Sequence, residues 1–234
     1  MNSAATAPMP GKAGTITTSC RNIRAIDNAA VAGGCGDRQG PPPLLGTGRS
    51  RCRATEATGA RLRSVSRVNG HRTLLLLRHA KSDYPAGVAD HDRPLAPRGI
   101  REAGLAGDWL RTNAPAIDSV LCSTAARARQ TLARTGIDAP TRYSERLYDA
   151  VPGAVIEEIN TVGDEVKTLL IVGHEPTMSG VALALAGAGG TDDTVAERVA
   201  AKFPTSGIAV LAVPCAWENL EPGRAALVGF EVPR

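Results

Sequence analysis

Aromatic side chains are scarce in this 234-residue chain: two Trp, three Tyr and two Phe, or 3% of the sequence. With an ordinary apolar content of 43%, the core must be built from Leu, Val, Ile and Ala. No apolar run approaches the roughly 18–20 residues needed to cross a bilayer, which argues against a membrane-spanning helix. The N-terminus lacks the charged, then apolar, then small-residue order of a secretory signal. Cysteine is present five times, at Cys20, Cys35, Cys52, Cys122 and Cys215, with no Cys-x-x-Cys pair. An odd count in that spacing fits neither a disulfide framework nor a zinc site, so reduced thiols in a cytoplasmic protein are expected. Cys122 falls in an apolar strand, where a free thiol behaves as a small hydrophobe.

Charge is distributed unevenly. Residues 1–70 carry ten Lys and Arg against three Asp and Glu, whereas residues 71–234 carry seventeen against twenty. The net charge of +4 therefore says little about the second part and gives no reason to expect nucleic-acid binding there. Residues 1–70 contain no aromatic residue and no sustained apolar period, and Gly40-Pro41-Pro42-Pro43 opposes regular structure. Such a segment cannot bury enough apolar surface to offset its ordering entropy. Three readings fit it: a disordered basic extension, a targeting or nucleic-acid-binding arm, or sequence upstream of the true gene start. The third is adopted as a hypothesis, because patterned sequence begins almost at Val68-Asn69-Gly70 and bacterial genes can start at a codon normally read as valine.

Texture changes at residue 71, where a single domain is expected to run to residue 234. Arg72-Thr73-Leu74-Leu75-Leu76-Leu77-Arg78 is a short continuous apolar run, as expected of a strand buried on both faces. Residues 83–97 are polar and contain Pro, hence a loop. Arg98 to Thr112 reads as a helix with an apolar stripe of Ile100, Leu105, Trp109 and Leu110. Ser119 to Cys122 is a second strand, and Ser123 is expected to cap a helix running to about Thr135. Thr141 to Ser144 is a short strand and Gly153 to Val162 is helical. Thr168 to Val172 is another buried strand, followed by a helix with Pro176 in its first turn that runs to about Ala186. Ile208 to Val213 and Ala225 to Val232 are two closing strands, expected to be antiparallel. Strands alternating with helices predict a three-layer α/β/α sandwich around a mostly parallel sheet.

Three of the strands end on chemistry-bearing residues. The first ends at Arg78-His79, the second at Ser123 with Arg127 four residues on, and the third at Gly173-His174. Ligands of open α/β sheets bind beyond the carboxyl ends of the strands, so these residues should converge. Two guanidinium forks match phosphate oxygens, and helix N-termini near Ser123 and Pro176 favour an anion. Histidine can serve as a covalent nucleophile. Two arginines in one pocket would repel a cation, so no metal and no cofactor is expected.

These motifs resemble those of a known family. Leu77-Arg78-His79-Ala80-Lys81-Ser82 is similar to the Arg-His-Gly signature of the histidine phosphatase superfamily. Arg93-Pro94-Leu95 with Gly99 resembles a stretch of the SixA-type phosphohistidine phosphatases. Ser123-Thr124-Ala125-Ala126-Arg127-Ala128-Arg129-Gln130-Thr131, Val172-Gly173-His174-Glu175-Pro176 and Phe203-Pro204-Thr205-Ser206-Gly207 resemble further family motifs, in the family's order, over about two-thirds of the chain. Ala80 stands where Gly is commoner and Thr124 where Pro is usual. The resemblance implies a phosphoglycerate-mutase-like fold and a metal-independent phosphatase. His79 would be the nucleophile, with Arg78, Arg127 and a protonated His174 on the phosphoryl group. Arg93 would line the same pocket or pair with a neighbouring carboxylate. For the general acid, the loop after the first motif points to Asp90, and the alternative is Asp149, which could instead cap the following helix. Asp83 and Asp92 are read as solvated loop residues.

Residues 71–234 lack room for the long insertions that build lids in mutase-like branches. An open site suits a phosphohistidine protein as substrate. A small phosphorylated metabolite, such as a sugar or nucleotide phosphate, is the alternative, and a silent phosphate-binding module is a third reading. Neither nucleic acid nor membrane is expected as a partner. For the extension, translation starting near Val68 is tested by mass spectrometry of the natural protein; a peptide from between Cys20 and Arg67 would overturn it.

Overall fold

The computed structural model describes residues 71–234; the extension reading and the proposed start near Val68 lie outside the described residues. Four leucines in succession, Leu74 to Leu77, form the middle of strand β1 (Arg72–Arg78), and all four are fully buried. Side chains on a strand alternate between faces. Leu74 and Leu76 therefore enter one core cluster and Leu75 and Leu77 the other. A strand that must be apolar on both faces belongs in the middle of a sheet.

Around it, β2 (Ser119–Ser123), β3 (Thr141–Ser144), β4 (Thr168–Gly173), β5 (Ile208–Val213) and β6 (Ala226–Glu231) complete six strands in the order β3-β2-β4-β1-β5-β6. The β1–β4, β4–β2 and β2–β3 ladders are parallel. β5 runs antiparallel to both β1 and β6, as expected of the closing pair. The helices are α1 (Pro97–Asn113), α2 (Ala126–Thr135), α3 (Pro152–Asn160), α4 (Thr177–Leu185) and α5 (Asp193–Ala201). Residues of α1 and α2 share a cluster with Leu75 and Leu77, and those of α3, α4 and α5 pack with Leu74 and Leu76. The three-layer α/β/α sandwich follows.

This arrangement positions the site. The chain leaving β1 crosses to the α1 face, while the chain leaving the adjacent β4 turns to α4 on the opposite face. Diverging connections open a crevice at the carboxyl ends of the two strands.

Three local expectations are corrected. Half of the apolar stripe predicted for α1 misses the core: Leu110 is buried and Trp109 packs against the same cluster, but Ile100 and Leu105 are 38% and 40% exposed. The buried face is instead Gly99, Glu102, Ala103, Ala106, Gly107 and Leu110. Small residues are needed there because the backbone approaches closely. A Cβ on Gly107 would come within 2.0 Å of the Thr135 carbonyl at the end of α2, and one on Gly99 within 2.0 Å of the Lys81 carbonyl. Secondly, Ser123 does not cap α2, which starts three residues later behind Ala125; its hydroxyl accepts from the Ala125 N–H (3.3 Å) and meets His174 across the sheet. Thirdly, α5 was not expected, although Asp192 caps it in the standard manner, accepting from the N–H groups of Thr194 and Val195. Its short apolar face, Val195 and Val199, explains why the pattern is faint.

Two substitutions on α1 should act in opposite directions. Gly107→Ala forces Cβ onto backbone and should destabilise by about 1–3 kcal/mol. Gly104→Ala, where nothing lies within 4 Å, should stabilise by about 0.5–1 kcal/mol. Urea unfolding of the two variants checks both; equal effects would contradict the close α1–α2 contact.

Candidate active site

In-register pairing of β1 with β4 places Arg78 opposite Gly173, so the next residues, His79 and His174, leave the sheet side by side. The His79 N–H donates to the Gly173 carbonyl (2.9 Å), continuing the ladder by one step. Adjacent strands lie about 4.8 Å apart, and the two imidazole centroids are 5.0 Å apart, tilted by 55°. On the other side of β4, the end of β2 brings the Ser123 hydroxyl to 2.8 Å from His174 Nε2. His174 Nδ1 is buried and has no hydrogen-bond partner among the described residues.

His79 is held in one tautomer. Its Nδ1 lies 2.8 Å from the Ala80 carbonyl, which can only accept, so Nδ1 carries the proton and Nε2 the lone pair. The Ala80 N–H in turn donates to Thr131 Oγ1 on α2 (2.9 Å), which fixes the turn after β1. The Nε2 lone pair faces Arg127, whose Nε–H donates to it across 3.3 Å. Arg127 sits in the first turn of α2 and is buried. Arg78, at the end of β1, donates to the Phe203 carbonyl (2.6 Å) and keeps a buried Nε without a partner. Ser206, in the Pro204-Thr205-Ser206 turn, has φ 62 and donates its N–H to the Arg78 carbonyl (3.2 Å), closing the pocket from the β5 side.

The loop after β1 completes the constellation. It is pinned at its base by a bridge between Ser82 and Leu95 and carries a single 3-10 turn at Asp90–Asp92. Asp90 accepts from Arg127 Nη2 at Oδ2 (3.0 Å), and its backbone carbonyl accepts from Arg127 Nη1 (2.6 Å). Arg93 takes the other Asp90 oxygen, donates to Ser82 Oγ (2.6 Å) and to the Asp83 carbonyl (3.0 Å), and lies 3.4 Å over the Tyr84 ring. Arg93 is thus paired with a carboxylate, one residue removed from Arg127.

Tyr148, which the sequence reading passed over, joins the site. Its hydroxyl donates to Asp90 Oδ2 (2.7 Å), and its ring stands edge-on to His174 at 5.4 Å and to His91 at 4.9 Å. His91 is also 3.0 Å from Thr124 Oγ1. Asp149, the alternative acid, is exposed at φ 50. It does not cap α3, whose cap residue is Val151 with no side-chain bond. Asp83 and Asp92 are exposed, as expected.

Electrostatics sort these groups into protonation states. Burial, reinforced by Arg127, Arg78 and Arg93 and opposed by the Ala80 hydrogen bond, lowers His79 from 6.5 to about 4. Burial, then His79 and Arg127, lowers His174 to about 3. Both imidazoles are neutral at neutral pH, whereas the sequence reading expects His174 protonated. That expectation presupposes a bound dianion, whose charge would pull a proton onto the ring. Asp90 is held at about 2 by the Tyr148 hydroxyl, ahead of Arg93 and Arg127, although desolvation pulls the other way. It is therefore a carboxylate, the form that accepts a proton, where the sequence reading expects a proton donor. Burial pushes the Cys122 thiol up to about 12, consistent with an inert core residue. Among the described residues no three His, Cys, Asp or Glu side chains gather as a metal site, and no helix is long and apolar enough to cross a membrane.

Residues 74–161 match the model of the histidine phosphatase superfamily, branch 1. Of solved structures, a proposed phosphohistidine phosphatase SixA of Nakamurella multipartitia is similar at 39% identity and TM-score 0.64, covering 70% of this chain and 97% of that one. The chain belongs to the histidine phosphatase superfamily. A second proposed SixA, of Agrobacterium tumefaciens, places it in the SixA-type branch as well, at 32% identity and TM-score 0.58 over 69% of this chain and 98% of that one. An uncharacterized Mycobacterium tuberculosis protein is 73% identical over 158 residues, 68% of this chain and all of that one. The chain is accordingly a phosphatase, and His79, His174, Arg78 and Arg127 lie at or just beyond three strand ends of its sheet.

The neutral histidines make stability depend on pH. Their folded-state values lie below the unfolded value of 6.5, so the unfolded chain binds more protons as pH falls. Stability should decline from about pH 6.5 through pH 4 and 3, with Asp90 adding to the loss at the acid end. Thermal melts of His79→Gln or His174→Gln should show a shallower decline; an unchanged slope would contradict buried neutral rings.

Proposed function

We propose that this phosphatase removes the phosphoryl group from phosphohistidine, passing it through a covalent intermediate on His79 without a metal. The observation that carries the reading is the tautomer of His79. With Nδ1–H bound to the Ala80 carbonyl, the Nε2 lone pair projects towards Arg127, the buried guanidinium best placed for an anion.

In the first step neutral Nε2 attacks phosphorus in line. Arg127 and Arg78 neutralise the equatorial oxygens, and His174, 5.0 Å away, takes a proton under the influence of the arriving charge. The new bond is N–P on His79, and the electron pair of the broken bond stays on the substrate's ring nitrogen, whose ring is protonated at its other nitrogen and so departs as neutral imidazole. In the second step water attacks the phosphohistidine, releasing inorganic phosphate and restoring Nε2. Arg93 acts through its pairing with Asp90.

The state of Asp90 favours an N–P over an O–P substrate. An alkoxide leaving group needs a proton donor nearby. Asp90 is ionised and Asp149 is exposed. Imidazole is a better leaving group and needs less help. SixA, by the names of the relatives, acts on phosphohistidine, which agrees with this preference. The phosphoryl donor proposed is a phosphorylated protein rather than a small metabolite.

His79→Ala should lower turnover by at least about 10³-fold, while a chelator leaves the wild type unaffected. Acid-labile phosphate trapped on the His79 peptide would identify the intermediate. Rates on a phosphohistidine protein should exceed those on sugar or nucleotide phosphates. Strong dependence on added Mg²⁺ or Zn²⁺, or faster ester hydrolysis, would refute the scheme.

A further inference from the structure

Three of the five N–H groups of Arg127 are engaged within the site, at least one on each nitrogen. Its Nε–H is on His79 Nε2, its Nη1 on the Asp90 backbone carbonyl and its Nη2 on the Asp90 carboxylate. Both Nη atoms of the fork are on Asp90, so a phosphoryl group that takes the fork bidentately competes with Asp90 for it. Both oxygens of the Asp90 side chain are engaged, Oδ1 by Arg93 and Oδ2 by Arg127 and the Tyr148 hydroxyl. In geometry and charge this carboxylate occupies the place of a ligand anion, held by one guanidinium from below and by a guanidinium and a phenol at the rim.

We propose that Asp90 is an internal anion that holds Arg127 in the phosphate-free enzyme, competes with the incoming phosphoryl group and is displaced by it, and returns to expel product phosphate. This rests on the reading of Arg127 as a phosphate ligand.

The segment is built to move. The Asp90–Asp92 turn contains no buried residue and lacks a side-chain cap, and the Asp90 side chain is half exposed, whereas Arg127 is buried and fixed in α2. Displacing the turn breaks the ion pairs of Asp90 with Arg127 and Arg93, the Arg127 bond to the Asp90 backbone carbonyl and the hydrogen bonds of Tyr148 and His91, but unpacks no core. The base of the loop stays anchored by the Ser82–Leu95 bridge, so the carboxylate remains close to the site while displaced. Arg93 and Tyr148 set how firmly it is held.

Competition of this kind has a measurable consequence. When the binding-competent state is only a fraction of the population, apparent affinity falls by that fraction. Removing the charge at Asp90 leaves a buried guanidinium without its carboxylate and should raise affinity for any tetrahedral oxyanion. A general-acid role for Asp90 predicts something different: lost kcat with phosphate affinity unchanged.

The experiment is titration of inorganic phosphate into the full-length wild type, Asp90→Asn and Tyr148→Phe, followed by calorimetry and by inhibition of turnover. An internal anion holding Arg127 about nine-tenths of the time predicts about tenfold tighter phosphate binding by Asp90→Asn. Tyr148→Phe should tighten it by a smaller factor, since that variant loosens the carboxylate without removing it. KM and the phosphate inhibition constant should fall together, with product release becoming slower. Wild type that binds phosphate and an Asp90→Asn variant that binds it equally or more weakly would overturn the inference and leave the phosphatase reading intact. If neither binds phosphate, Arg127 is not a phosphate ligand and both fall.

Discussion

The parallel ladder between β1 and β4 pairs Arg78 with Gly173, and both histidines inherit their positions from that pairing. A shift of one residue would carry His79 to the opposite face of the sheet and away from His174. Nothing in the middle of β1 opposes such a slip, because Leu74 to Leu77 are interchangeable in hydrophobicity and face both core clusters. The polar ends set the register instead. Arg72 donates to the Cys215 carbonyl (2.8 Å) and pairs with Asp164, and Arg78 donates to the Phe203 carbonyl at the other end. Two arginines at the ends of a leucine strand thus fix what the leucines leave open.

From that register the electrostatics of the pocket follow. Two imidazoles next to buried guanidinium groups are kept neutral, which is the state a nucleophile needs, and the surplus positive charge is balanced by one carboxylate carried on a surface turn. The pocket is therefore already an anion site before any substrate arrives. The anion it holds comes from its own chain, and the partition between fixed arginine on a helix and movable aspartate on a loop is what makes exchange with phosphate feasible.

Much of this was legible in the one-dimensional pattern. Strand limits came within a residue or so of the observed ones, and the three strand ends with their Arg and His residues were identified because continuous apolar runs followed by a polar break are local signals. The failures have physical causes too. On α1 the apolar spacing locates Leu110 and Trp109 correctly but not Ile100 and Leu105, because backbone proximity at Gly99 and Gly107 turns a face of small residues to the core. Ser123 carries a helix-cap signal, yet its hydroxyl meets His174 at the end of the neighbouring strand β4.

The sequence by itself determined the fold class, the family and the four residues that meet at the strand ends, since each depends on residue types at short spacing. Only the tertiary structure decided that Tyr148 rather than Asp149 enters the site, and that Asp90 is a carboxylate shared by two arginines. Tyr148 and Asp90 are far apart in the chain, and no local pattern records which neighbour will turn inward. Protonation state is likewise set by desolvation and by charges brought together in space, so the neutrality of His79 and His174 exists only once the sheet has delivered them to the same buried corner.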